Sequence, residues 1–539
     1  MARRLTTFSK FLITLLIIGA IAFIGRYFLT QTDVGKGLAD KAGVEQPKSS
    51  DSGSSSANSG STSNTNTNPG NTNSGSSDDV IRIGVVTWGG YAGGQYFNEG
   101  FEATKNSRFY KDYGFQVEFK VLDDFEASRN AFRAGEVDLL WATIDAFPTE
   151  VGALNAVDPV IVFQADWSRG GDAIIARRGI TRVSDLKGKN IAVAELTPSH
   201  SFLIWLLEAG GLSISDVTIK PQASAVDAAE VFKSGRVDAA VVWSPDDILA
   251  TKAVPGSRIL ESTRSAAYII ADVFMAKRGW ADKNQDRLQK LYEGWMRGAA
   301  EINSNSSSRK KAAEILSREF TERGTALNPA EAAEMIGNVR LTTHGDNKNF
   351  FKLNNDYQGV NGNSLYSNMG NRYADLGFIE GRVPAWRQIA YPKLVMNTNL
   401  TSPADFPEKS KTYAKATKAD EKKEALATKE LSISFRTAEF QLDENAKYII
   451  DKEFVEIAKV FNSRIRIEGN TDNTGNAASN QRLSEKRAQA VADYLIETHG
   501  MDRNRFIVIG NGVTQPIADN NTEAGRAKNR RTDFELLTD

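Results

Sequence analysis

One phrase occurs twice in this chain, one hundred residues apart. Phe132-Arg-Ala-Gly-Glu-Val-Asp-Leu-Leu-Trp141 returns as Phe232-Lys-Ser-Gly-Arg-Val-Asp-Ala-Ala-Val-Val-Trp243, with Phe, Gly, Val and Asp in matching places. Each copy reads as a helix end, a glycine turn and a buried strand that stops at a polar loop. Two copies call for two similar α/β lobes rather than one large sheet. The surroundings agree. Strand-like runs at Ile81–Val86, Val117–Val121 and Ile191–Val193 alternate with helical segments such as Phe202–Leu207 and Leu288–Ala300. That alternation predicts βαβ units and largely parallel sheets.

The ends of the chain have a different character. Arg3, Arg4 and Lys10 precede an apolar run from Phe11 to Ile24, resumed after Gly25-Arg26 by Tyr27-Phe28-Leu29. Counted to Leu29, this run approaches the ~20 residues a membrane span needs, with its basic side held in the cytoplasm. Residues 1–30 therefore read as an N-terminal transmembrane helix, an uncleaved signal anchor. A cleaved signal ending near Ala20-Ile21-Ala22 is the other reading. Residues 31–79 form a linker. Its stretch 48–78 is almost entirely Ser, Gly, Asn and Thr, too polar to offset its ordering entropy, and is expected to be a disordered tether.

Composition narrows the function. A hydrophobic fraction of 41% is ample for packed cores, and a net charge of −1 without a long basic run argues against nucleic acid. The absence of cysteine excludes disulfides, thiolate metal sites, a cysteine nucleophile and N-terminal lipoprotein acylation.

Residues 80–400 resemble the two-lobed periplasmic solute-binding proteins of ABC importers, in the nitrate, taurine, sulfonate and thiamine-precursor branch. The resemblance is carried by Ile83-Gly-Val-Val-Thr-Trp88, Ala134-Gly-Glu-Val-Asp138, Ser184-Asp-Leu-Lys-Gly-Lys189, Leu207-Glu-Ala-Gly-Gly211 and Ser234-Gly-Arg-Val-Asp-Ala239, followed by Trp243-Ser-Pro245. It implies an α/β two-lobed periplasmic-binding-protein fold with the ligand between the lobes. By position, the expected lining is Trp88, Gly89 and Tyr91, Thr143 and Asp145, Asp166, Trp167 and Gly170, Thr197, Ser199 and His200, and Trp243, Ser244 and Asp246. The segment Thr197-Pro-Ser-His-Ser201 has the form of a helix N-cap, whose N–H groups suit an anion. The three tryptophans and three aspartates, with Arg169 the only nearby cation, suit an ammonium instead. The related thiamine-pyrimidine synthase branch resembles a histidine- and cysteine-dependent chemistry. Here only His200, His344 and His499 exist, far apart, so no catalytic group, metal site or cofactor is expected.

After a charged segment at 401–429, read as a solvated helix or a spacer, a last domain is expected over 430–539. It reads as a strand at 431–435, a helix at 444–461, a strand at 465–467, a helix at 479–497, a strand at 506–509 and a closing strand at 534–536. Within it, Gly469-Asn-Thr-Asp-Asn-Thr-Gly475 precedes Asn480-Gln-Arg-Leu-Ser-Glu-Lys-Arg-Ala488. An aspartate in a glycine-bounded turn and an arginine on a following helix can together hold a zwitterion. With Gly510-Asn-Gly512 and Asn529-Arg530-Arg531, the segment resembles the α+β OmpA-like peptidoglycan-binding domain. The resemblance implies that Arg487 takes the carboxylate and Asp472 the ammonium of the diamino acid of the stem peptide, supported by Asn473, Thr474, Leu483 and Arg530. Asn470 stands where the family often has histidine.

Together these features predict an envelope receptor of a diderm bacterium, single-pass in the inner membrane with its bulk in the periplasm. It would bind a small polar solute and peptidoglycan, with an ABC permease or another envelope protein as further partner. A structural or stator-like tether is the alternative, although no acid lies between Phe11 and Leu29.

Overall fold

The repeated phrase forms equivalent parts of two separate sheets. The computed structural model describes residues 79–538 apart from 434 and 436–438; the expected anchor and the expected tether lie outside the described residues. Among the described residues no helix is long and apolar enough to cross a membrane.

The first sheet contains β1 (Val80–Val85), β2 (Gln116–Val121), β3 (Leu139–Thr143), β4 (Pro159–Ser168), β10 (Ala271–Lys277) and β11 (Val339–Leu341), in the order β11-β4-β10-β3-β1-β2. The second contains β5 (Asp172–Ala176), β6 (Asn190–Ala194), β7 (Thr218–Gln222), β8 (Ala239–Trp243) and β9 (Arg258–Ser262), in the order β7-β6-β8-β5-β9. In each copy of the phrase a helix ends at a glycine in the left-handed region, Gly135 at φ 81° and Gly235 at φ 84°, where a side chain would be strained. The two aspartates then do the same work. Asp138 accepts the Arg82 N–H at 2.8 Å and Asp238 accepts the Asn190 N–H at 2.8 Å, so each ties its strand to the neighbouring strand of its own sheet. All five residues of β3 are buried, as are the first four of β8.

The sheets are mixed rather than largely parallel. β1 runs parallel to β2 and β3, and β6 to β7 and β8, but β10 is antiparallel to β3 and β4, and β5 to β8 and β9. The reason is topological. The chain crosses between sheets twice, from β4 to β5 and from β9 to β10, and each crossing delivers a strand running against its new neighbours.

Residues 344–397 form a strap across both lobes. On the first lobe, the Tyr391 N–H donates to the Ile161 carbonyl at 2.9 Å, and Tyr366 packs against Phe147. On the second, the Tyr373 and Ser201 hydroxyls share a hydrogen bond of 2.9 Å, and Arg372 pairs with Glu208 at 2.7 Å.

The C-terminal sheet, in the order β12-β15-β13-β14, comprises β12 (Ala425–Leu431), β13 (Ile465–Asn470), β14 (Phe506–Gly512) and β15 (Thr532–Leu537). Its first strand lies earlier than the sequence pattern indicates, at 425–431 instead of 431–435. It pairs antiparallel with β15 from Ala425–Leu537 to Leu431–Thr532, and Leu426 and Ala427 are buried although charged residues flank them. The preceding charged stretch is not a helix. It forms short 3-10 turns, and Glu408 reaches back to Arg169 at 2.7 Å. The last domain packs directly on the second lobe: Phe461 stacks with Trp205 at 6.5 Å, and the Asn462 N–H donates to the Ser265 carbonyl at 2.6 Å.

Candidate functional site

Strand registers decide what faces the interlobe cleft. In the first sheet, Asp272 at the start of β10 is the cross-strand partner of both Thr143, at the end of β3, and Asp166, near the end of β4. In the second, Asp172 opens β5 opposite Trp243, which ends β8. The crossover from β4 to β5 is only three residues long, so these two rows meet.

Four carboxylates are buried there: Asp145, Asp166, Asp172 and Asp272. Each of the last three spends an oxygen on a neutral donor. Trp88 Nε1–H donates to Asp166 at 2.9 Å, the Tyr91 hydroxyl to Asp272 at 2.9 Å, and the Ser168 hydroxyl to Asp172 at 2.6 Å. Neither oxygen of Asp145 completes a hydrogen bond, and the Ser201 hydroxyl near it is shared with Tyr373. Burial pushes Asp145, Asp166 and Asp172 up to about 7, and pushes Asp272 well above the carboxylate range, with mutual repulsion adding to the shift. None of the four is ion-paired among the described residues. Guanidinium groups around the cleft are committed elsewhere: Arg169 to Glu408 over the Tyr268 ring, Arg129 to Glu150 at 2.7 and 3.0 Å, and Arg264 to Asn338 at 3.2 Å.

Glycines hold the wall close. A Cβ on Gly90 would overlap the Asp166 carboxylate, and one on Gly171 would overlap the Trp88 indole. Trp88 from the first lobe thus lies directly across the start of the second. A Cβ on Gly89 would meet the Met335 carbonyl at 2.5 Å.

Several expected lining residues do other work. Trp167 alternates to the opposite face of β4 from Asp166 and packs edge-on against Tyr268. Asp246 is half-buried in the first turn of helix Asp246–Ala253, within the fields of Lys233 and Glu230, whereas its neighbour Asp247 accepts the Ser244 hydroxyl at 3.0 Å. Thr197 occupies the N-cap position of helix Pro198–Ala209, but its hydroxyl donates to the Ala194 carbonyl. His200 Nδ1 accepts the Leu196 N–H at 3.2 Å, and its ring packs against Tyr373 and Phe378 of the strap. Burial holds that imidazole down near 4, so it is neutral. At the helix start Pro198 has no N–H, and the His200 and Ser201 N–H groups both donate to the Thr197 carbonyl. Ser199 is fully buried, with its hydroxyl unpartnered among the described residues. Gly170 hydrogen-bonds to Thr263 at 2.8 Å. Sequence reasoning missed Asp172, Asp247 and Asp272. The last opens a strand that enters the cleft from the other lobe, and no repeat marks it.

In the C-terminal domain, the turn after β13 and helix Ala477–His499 bring Asp472 and Arg487 to one end of the sheet. The helix lies tight on the strands because Gly469 and Gly510 have no side chains: a Cβ on either would run into the backbone of Ser484 or Glu485. Ser484 accepts the Gly512 N–H at 2.9 Å, and Asn480 holds the turn through the Thr474 carbonyl at 3.0 Å. Asp472 is buried. It accepts the Thr474 N–H at 2.9 Å and pairs with Arg530 at 2.6 Å. Burial opposes its charge, but these partners outweigh it and hold the carboxyl below the usual range. The Arg487 guanidinium donates to the Glu439 carbonyl at 3.1 Å and lies over the Phe435 ring. Asn473 and Thr474 are exposed and Leu483 is half-buried. Asn470 is structural, bonding Asp533 at 2.9 Å and Asn511 at 3.1 Å.

Comparison with known proteins follows the same division. Residues 107–303 match the family described as ABC transporter, phosphonate, periplasmic substrate-binding protein, and residues 434–530 match the OmpA family. The chain joins a substrate-binding domain to an OmpA domain. The OmpA domain is similar to outer membrane porin F of Pseudomonas aeruginosa, 38% identical over 108 residues, which is 20% of this chain and 31% of that protein. It is also similar to the peptidoglycan-binding protein ArfA of Mycobacterium tuberculosis, 46% identical over 72 residues, 13% of this chain and 22% of that one. The chain spans about a third or less of the length of these curated relatives. Among solved structures, the periplasmic aliphatic sulphonate binding protein SsuA of Escherichia coli is 19% identical with a TM-score of 0.46, covering 60% of this chain and all of that one. That likeness carries nothing about the ligand.

Proposed function

We propose that this protein is an envelope receptor whose substrate-binding domain encloses a small polar solute while its OmpA domain holds peptidoglycan. The observation that carries the reading is the convergence of polar and aromatic side chains from both sheets on one buried cleft: Trp88, Tyr91, Asp166 and Asp272 from the first, Asp172 and Trp243 from the second. On the OmpA side, Asp472 and Arg487 would take the ammonium and carboxylate of the stem-peptide diamino acid. Arg530 holds Asp472, and Asn473, Thr474 and Leu483 flank it. The role is binding rather than catalysis: burial holds the His200 and His344 imidazoles down near 4. Residues 1–30 would anchor the chain in the inner membrane, with the remaining residues in the periplasm.

The test uses the full chain. Isolated sacculi should retain it, and Asp472→Asn or Arg487→Gln should release it; retention unchanged in both variants would sink the wall-binding assignment. A second reading, a structural tether using the receptor fold to bind a protein partner, is favoured by the strap that already links the two lobes. An ABC permease is the partner expected under the first reading only.

A further inference from the structure

Resting on the receptor reading, we propose that the interlobe cleft takes an organic ammonium ion, seated among Asp145, Asp166, Asp172 and Asp272 and against the rings of Trp88 and Trp243. The cluster does not stand alone. Asp145 is fully buried, neither of its oxygens completes a hydrogen bond among the described residues, and it lies near enough to Asp272 and Asp172 for their charges to repel. Buried carboxylates are stable when paired or hydrogen-bonded to donors, and an uncompensated group of four is costly. Their side-chain donors among the described residues are neutral: the Trp88 indole, the Tyr91 hydroxyl and the Ser168 hydroxyl, with the Ser201 hydroxyl beside Asp145. The missing component is positive charge.

The chemistry of the wall separates ligand classes. An oxyanion needs cations or free N–H donors; Arg169 and Arg129 are engaged by Glu408 and Glu150, Arg264 by Asn338, and the His200 and Ser201 N–H groups by the Thr197 carbonyl. A metal ion would need three or more ligating side chains in coordination geometry, and no such group exists among the described residues. An organic ammonium satisfies both features present, carboxylates for its charge and indole faces for its alkyl groups. The family description of the matched segment names phosphonate; the side chains of this cleft have the opposite polarity.

Thermal shift and calorimetry on the full chain would decide, with choline, putrescine and agmatine as cationic probes and methylphosphonate, ethanesulfonate and nitrate as anionic ones. Stabilisation by at least one cationic probe and by none of the anions is expected. Asp272→Asn and Asp166→Asn should fold, because each removes a buried charge, and should weaken the cation at least tenfold. Stabilisation by an anion alone would overturn the ligand class and leave the receptor reading intact. No response to any probe would overturn both. Should a variant fail to fold, the wild-type protein decides: affinity for a cation rises from pH 6 to pH 8 as Asp145, Asp166 and Asp172 ionise near Asp272, Asp247, Tyr91 and Arg169. A falling affinity would overturn the proposal.

Discussion

Arg530 places its Nη1 2.6 Å from Asp472 Oδ2, so the carboxylate assigned to a ligand ammonium already holds a guanidinium of its own chain. A stem-peptide ammonium bound at Asp472, as proposed, would share or displace that partner. Arg530 also pairs with Glu523 at 2.8 Å and is more than a third exposed, so the contact to be displaced is a modest one. Arg530→Gln should therefore raise affinity for a diamino-acid muropeptide a few-fold, while Asp472→Asn should lower it about tenfold or more, the scale of one charged hydrogen bond. Titration calorimetry measures both. Weaker binding by Arg530→Gln would mean that Arg530 itself contacts the ligand.

The acidic cleft should make the unliganded protein less stable as pH rises. Asp145, Asp166 and Asp172 are pushed up to about 7 by burial. Their folded-state pKa exceeds the unfolded one near ~4, so the native state retains protons that the unfolded chain has lost, and stability falls as pH climbs between these values. His200 and His344, both held near 4, act in the opposite sense and destabilise as pH drops below about 6.5. Above that point the carboxylates act alone. The melting temperature is expected to fall from pH 6.5 to pH 8, and Asp166→Asn to flatten the decline. A melting temperature that rises over this interval would show the carboxylates to be compensated.

Arg129 and Glu150 form a buried bidentate pair beside the cleft, with the guanidinium also lying over Phe125 and Trp141. Removing one partner leaves a buried charge unmatched. Arg129→Met should destabilise the first lobe by about 3–5 kcal/mol, and the double change with Glu150→Met should recover much of that loss. Chemical denaturation followed by tryptophan fluorescence would show it, and equal losses in the single and double variants would argue against a desolvated pair.

Phe461 joins the OmpA domain to Trp205 of the second lobe, and both side chains are nearly inaccessible. Phe461→Ala should cost about 3–5 kcal/mol locally and loosen the domain contact. Faster proteolytic cleavage between residues 409 and 424 is the expected sign, and an unchanged cleavage rate would mean that other contacts hold the domains together.

The two lobes were legible because the repeated phrase encodes local events: a cap, a glycine turn and a strand of fixed length. Asp138 and Asp238 show why the phrase repeats, since each ties its strand to an adjacent backbone. The OmpA motif was legible for the same reason, because its turn and helix adjoin in sequence. The cleft was less so. Asp272 and Asp172 reach it through strands that cross from the other lobe, and their cross-strand partners are set by sheet register. Trp167 shows the converse failure, as strand alternation turned a plausible cleft residue to the other face. The early start of β12 was hidden because a charged stretch can hold a strand when its few apolar residues meet a neighbouring domain.

The strap over 344–397 has a kinetic consequence. Opening the cleft would require breaking the Tyr373–Ser201 hydrogen bond and the Arg372–Glu208 pair and unpacking His200 from Tyr373, all before solute can leave. Exchange would then be paced by that rupture rather than by the strength of ligand contacts. Such a receptor responds to solute averaged over its residence time and smooths brief fluctuations. Tyr373→Phe combined with Arg372→Ala should speed dissociation in stopped-flow measurements; an unchanged rate would show the strap to be a passenger on one lobe.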